Sequence, residues 1–260
     1  MDKLRKLANV IGFTFLSACA STLMPPEGST PTESEANRAW SQVLKENVDS
    51  QGRINFSHLA AHSDELNTFV RYVRAQSPRN NPESFPTLES KLAYSINAYN
   101  ALAMYTMIHQ EPIPSELTPA KRGHFFILTD LDIGTYFINL FRFENEFIRT
   151  LGDERIHFAL NCMVKGCPRL PQVTFTVADV NSQLDREAKR FFNEERNVRV
   201  VNTEKKVYLS SILKFYTVDF LKKAASLIDY ANQYREQKIP TDYRVDFIPY
   251  DWTVNLQPAS

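Results

Sequence analysis

Apolar positions along this chain fall mostly at helical spacing, so the elements they predict are mainly helices. Ala39, Trp40, Val43, Leu44 and Val48 share one face of a helix over 36–48, which a turn at Gln51-Gly52-Arg53 ends before the short extended run Ile54 to Phe56. Leu66, Phe69, Val70 and Val73 make a second amphipathic helix from Glu65 to Ala75, closed by a loop rich in Pro and Asn from Ser77 to Pro86. The next helix, Leu88 to Ile108, is apolar almost all round, the pattern of a helix buried on every side. Asn97 and Asn100 interrupt it one turn apart on a shared face, and buried carboxamides must find partners. The structural reading is that they clamp a neighbouring backbone; the alternative is that they bind substrate.

Phe125 to Ile138 is predicted to hold a hairpin turning at Asp132-Ile133-Gly134-Thr135, followed by a short helix capped near Asn139 and stopping around Gly152. Ile156 to Cys162 alternates as a strand, with His157, Ala159 and Asn161 on one face and Phe158, Leu160 and Cys162 on the other. Thr176 and Asp179 resemble a capping box that opens a helix burying Val180, Leu184, Ala188 and Phe191. Val198 to Val201 and Lys206 to Leu209 read as an antiparallel hairpin joined through Asn202-Thr203-Glu204. Helices then run from Ser211 to Tyr234, and a last extended segment, Arg244 to Trp252, offers Val245, Phe247 and Ile248 to the core. The expected fold is therefore one helix-rich α+β domain with a small, mostly antiparallel sheet and a buried central helix.

The amino terminus changes this picture. Lys3, Arg5 and Lys6 precede an apolar run, Leu7 to Leu16, too short to span a bilayer, which is the layout of a secretory signal. Leu16-Ser17-Ala18-Cys19 resembles the bacterial lipobox and makes Cys19 the expected lipid attachment point. The expected organisation is a signal peptide over 1–18, a flexible Ser/Thr/Pro/Glu-rich linker over 19–36 and one domain over 37–260. Ala20, rather than Asp, after the cysteine points to the outer membrane, facing the periplasm.

Charge adds little: 30 acidic and 30 basic residues balance, so no nucleic-acid footprint is expected. Cysteine adds more. Once Cys19 is set aside, Cys162 and Cys167 remain, and in an oxidising compartment a disulfide between them is the default. It would close a very short loop and shape a turn more than hold a fold. His58 and His62 sit four apart without a third ligand in view and read as a surface helix; no metal and no cofactor is expected.

Trp40 with Gly52-Arg53-Ile54-Asn55-Phe56, Ile96-Asn97-Ala98-Tyr99-Asn100-Ala101, Phe143-Glu144-Asn145 with Ile148-Arg149, and His157-Phe158-Ala159-Leu160-Asn161-Cys162 with Cys167-Pro168 together resemble the domain of unknown function 547 family across nearly all of the chain beyond the linker. Tyr250-Asp251-Trp252 resembles the ending of bacterial members. Many members have an aromatic residue where this chain has Ser95, and a histidine where it has Asn145. The resemblance implies kinship of fold and leaves the chemistry to the residues.

Two readings stay open. Thiol hydrolases or transferases of the papain-like or transglutaminase-like type need a thiolate, an imidazole and an orienting group. Cys167 beside Lys165 and Arg169 can supply the first and His157 the second; Glu144 or Asn161 can orient the ring, and Asn97 or Asn100 can serve an oxyanion. The substrate would be an amide or ester of the envelope. The other reading is a non-catalytic envelope module that binds a peptide, glycan or protein, with Cys162 and Cys167 joined as structure. A dithiol redox role fits less well, because the cysteines lack the C-x-x-C spacing.

Overall fold

The computed structural model describes residues 21–258. The expected signal segment and Cys19 lie outside the described residues. Among the described residues, nine further helices and two three-stranded sheets are arranged about one central helix, an α+β fold as expected. In chain order the first part is β1 (Ser21–Leu23), α1 (Glu33–Asn47), α2 (Phe56–Ala61), α3 (Asp64–Ala75), α4 (Leu88–Ile108), α5 (Pro119–Gly123), β2 (Thr129–Ile133), β3 (Tyr136–Ile138) and α6 (Leu140–Arg142). The second part is α7 (Val180–Asn193), β4 (Val198–Val201), β5 (Lys206–Ser210), α8 (Ser211–Phe215), α9 (Thr217–Leu221), α10 (Leu227–Tyr234) and β6 (Arg244–Ile248).

The central helix is α4, which runs over the predicted residues and buries nearly every side chain after Ser90. Thr87 and Ser90 cap its first turn reciprocally, so the orphan N–H groups there are met before the apolar run begins. Thr32 and Glu35 do the same for α1, which therefore begins before the expected boundary. α1 and α3 pack on one side of α4, and Trp40 stacks on Phe69 at 5.4 Å. A second apolar cluster gathers Phe158, Phe191, Phe192, Phe220 and Tyr230 under α7, α9 and α10.

Three expectations are corrected. The sheet is not single and mostly antiparallel: β2 pairs antiparallel with β3 but parallel with β1, and β5 pairs antiparallel with β4 but parallel with β6. Strands brought from opposite ends of the chain supply the parallel edges, which local hairpin signals cannot show. The expected linker over 19–36 is also structured in part, with Ser21–Leu23 bonded along β2 and the Tyr105 hydroxyl donating to the Met24 carbonyl at 2.8 Å. Finally, no strand forms over Ile156 to Cys162. Glu154–Phe158 is a tight 3-10 helix, opened by Asp153, whose side chain accepts from the Arg155 N–H. Both apparent faces of the alternation are buried, because the segment lies between the two cores.

Beyond β6 the chain forms an extended strap across the cysteine loop. The N–H groups of Lys165 and Gly166 donate to the carbonyls of Thr253 and Asp251, and the Asn255 N–H donates to the Met163 carbonyl, each at 2.8 to 3.0 Å. Gly166 is needed under this strap: a Cβ there would stand 2.9 Å from the Tyr250 ring. Of the three side chains expected in the core from β6, Val245 is instead exposed.

Candidate functional site

α4 positions the site from beneath. The Asn100 amide donates to the Ala159 carbonyl at 2.9 Å and its oxygen accepts from the Asn161 N–H at 2.8 Å. One turn earlier, the Asn97 oxygen accepts from the Trp40 indole and from the Phe175 N–H, and its amide donates to the Phe175 carbonyl. Both asparagines, candidates for substrate binding or for clamping, make the contacts of clamps: each bonds buried backbone through its oxygen and its amide, and Asn97 also accepts from Trp40.

Asn161, a candidate to orient the imidazole, instead organises the cysteine loop. Its oxygen accepts from the Met163 N–H and its amide donates to the Pro168 carbonyl. Met163 is thereby held at φ +68°, a left-handed conformation that a side chain adopts at a cost of about 1 to 3 kcal/mol. The loop closes on itself through a Cys162–Cys167 disulfide. Cys167, nominated as the nucleophile, is thus bonded as well as buried, with 2% of its surface exposed. The cations expected to ionise it are engaged elsewhere or turned outward, Arg169 against Glu194 and Lys165 into solvent.

Of the two sulfurs it is Cys162 that meets open space. A cavity of about 100 Å³ is lined by Cys162, His157, Glu144, Tyr99, Tyr216 and Tyr250, with Phe126, Phe215 and Trp252 adding aromatic wall. The Tyr250 hydroxyl lies 3.1 Å from the Cys162 sulfur. His157 and Glu144, nominated from the sequence, do converge here, but Glu144 does not orient the ring.

Asp219 does, from α9, with its Oδ2 3.1 Å from His157 Nε2. Against the cost of burial, hydrogen bonds from His157, Arg149 and Lys222 hold the Asp219 carboxyl down to about 2. An ionised carboxylate only accepts, so Nε2 carries the proton and Nδ1 is the open acceptor. Burial lowers His157 to about 4, against the opposing pull of Asp219. The ring also stacks face to face on Tyr216 at 3.7 Å between centroids. Asp219 and Tyr216 were missed in the sequence because they lie about sixty residues downstream, in a segment whose visible signal is only helical.

Glu144 is raised above the ordinary carboxylate range by burial, although Tyr216, Arg149 and Tyr99 partly offset this. The Tyr99 hydroxyl donates to it at 3.4 Å. Asn145, where the resembled family often has histidine, donates to the Phe141 carbonyl and accepts from Arg149, which in turn bonds Asp219. Among the described residues no group of three histidine, cysteine or acidic side chains is arranged to hold a metal ion. His58 and His62 stack on each other at 4.4 Å instead.

The site is thus a small aromatic-walled cavity in an α+β domain, holding a buried carboxyl, a carboxylate-oriented histidine and one face of a disulfide. Residues 83–192 match the family described as "Protein of unknown function, DUF547", which supports placing the chain with that family. The matched span holds α4, Glu144, His157 and both cysteines of the loop, but not Trp40, Gly52, Asp219, Tyr250 or Trp252. No curated protein and no solved structure matches the chain.

Proposed function

We propose that this protein is a lipid-anchored module of the bacterial envelope that binds a sugar ring or peptide amide in the cavity above Cys162, with the Cys162–Cys167 bond serving as structure. The anchor rests on the lipobox resemblance at Cys19, and Ala20 after it supports the periplasmic side of the outer membrane. One observation carries the binding reading: the cavity joins flat aromatic walls to a buried carboxyl and tyrosine hydroxyls. Aromatic faces stack on apolar ligand faces, and a few convergent polar groups fix orientation. A hydrolase needs a base poised near the working pH, whereas His157 sits far below it, and the nominated sulfur is neither free nor exposed. If a thiol reaction does occur after reduction, the reacting sulfur is Cys162, because it shares the cavity with His157.

Trp252 lines the cavity while Trp40 is buried elsewhere, so tryptophan emission reports occupancy. Envelope glycan fragments and short peptides titrated into the protein should change that emission saturably, and Glu144→Gln together with Tyr216→Phe should weaken the response at least tenfold. Retention of binding by Cys162→Ser/Cys167→Ser supports a structural bond. Hydrolysis of an amide or ester by reduced protein, lost in Cys162→Ser, would overturn the non-catalytic reading.

A further inference from the structure

A second cavity, of about 120 Å³, lies apart from the first, between the β2–β3 hairpin, α4 and the turns that follow α6. Its walls are almost wholly carbon, from Tyr94, Ile133, Ile138, Phe143, Phe147 and Leu151. Where α4 passes the hairpin it carries the small Ser95, which lines the space. The hairpin is held at the distance that keeps the space open. Gly134 and Thr135 donate from their N–H groups to the carbonyls of Val73 and Arg74, and Gly134 passes so close to Ser77 that a Cβ would stand 2.1 Å from its hydroxyl.

Two cations line this cavity, Arg79 and Lys91. Arg79, exposed to solvent, lies over the Tyr136 ring, 3.6 Å from its centroid, in a cation–π contact at the cavity wall. Neighbouring cations are neutralised, Arg74 by Asp132 and Arg142 by Glu146, but among the described residues neither Arg79 nor Lys91 has a carboxylate within ion-pair distance. No acidic side chain lines the space. Water gains little in a carbon-walled void, whereas an apolar cavity of about 150 Å³ takes up benzene.

From this pairing of a dry interior with uncompensated positive charge we infer that the cavity binds a small apolar carboxylate, an aromatic or branched-chain acid, with its hydrocarbon end among Ile133, Ile138 and Phe143 and its carboxylate between Lys91 and Arg79. Only the acid satisfies both halves: a neutral hydrocarbon leaves the cations unmatched, and a short acid such as acetate leaves the carbon walls empty.

The test uses the full chain, with benzoate, toluene and acetate as probes in calorimetric and proton NMR titrations. Benzoate should bind saturably, ~10-fold or more tightly than either toluene or acetate, and its ring protons should show transferred contacts to Ile133 and Phe143. Lys91→Gln should weaken benzoate ~10-fold while leaving toluene unchanged, the share expected of one charge-assisted contact. Ser95→Leu should abolish benzoate binding by filling the space. Should that variant fail to fold, the NMR contacts in the unsubstituted protein decide the location. Absence of saturable benzoate binding, contacts to other residues, or equal affinity for benzoate and toluene would overturn the inference.

Discussion

Replacing Asn100 with Ala removes the clamp between α4 and the segment that carries His157 and Cys162. The side chain is 2% exposed, and the two backbone groups it satisfies, the Ala159 carbonyl and the Asn161 N–H, are buried with it. Each orphaned group costs about 1 to 3 kcal/mol, so the pair predicts a loss of about 2 to 6 kcal/mol, a large share of the roughly 5 to 15 kcal/mol that holds a typical domain. The proper control is Asn193→Ala. That side chain likewise bonds backbone, donating to the carbonyls of Lys189 and Tyr234 and accepting from the Glu236 N–H, but at an exposed position where water can replace it, so its loss should stay under about 1 kcal/mol. Urea unfolding followed by fluorescence and circular dichroism measures both, provided the slopes agree, because a change of midpoint at constant slope is a change of stability. Were Asn100→Ala to cost no more than Asn193→Ala, the buried hydrogen bonds would not be what fixes the loop, and the account of how α4 positions the site would fail.

Two further outcomes follow from the site. Between pH 6.5 and about 4 the unfolded chain takes up a proton at His157 that the folded chain excludes, so stability is full above this window and falls by up to about 3 kcal/mol as pH drops through it. Glu144 acts with the opposite sign, since its raised carboxyl favours the folded state at low pH and loses that contribution as pH rises through its folded value. Unfolding midpoints measured across this range should therefore no longer fall on acidification in His157→Gln and fall more steeply in Glu144→Gln; unchanged profiles would mean neither group titrates as its burial requires. Cys162→Ser/Cys167→Ser, which opens a loop with a sequence separation of 5, should cost about 2 kcal/mol on the chain-entropy account, and intact protein should resist thiol alkylation until reduced. Full alkylation without reductant would contradict the bond.

Where side chains report directly on their own backbone, the residues alone were informative. α4 was legible end to end because being apolar on every face has one physical explanation, burial on every face. The Asn202–Glu204 turn between β4 and β5 and the Asn139 cap of α6 were legible because turn and cap chemistry act over a few residues. Ile156 to Cys162 misled for a related reason. A period of two indicates a strand only when one face is wet, and here residues of both faces are buried, Phe158 in one core and Ala159 and Leu160 in the other.

Among the site residues, Glu144, His157 and Cys162 could be picked out from their motif, and two cysteines with no other partner in the domain already favoured a bond. The residues that decide what the site can do came from further away: Asp219 gives the imidazole its tautomer, Tyr216 covers it, and Tyr250 and Trp252 arrive on the strap that closes the chain. Sequence by itself determined the long helices α1, α3, α4 and α7, the β4–β5 turn, the burial of Asn97 and Asn100 and the pairing of the thiols, because each depends on contacts within a few residues or on simple counting. Tertiary structure alone decided that Cys162 rather than Cys167 meets the cavity, that burial robs His157 of its basicity, and that both sheets gain a parallel edge. Those outcomes are set by desolvation and by partners distant in sequence, and neither quantity has a local signature in the chain.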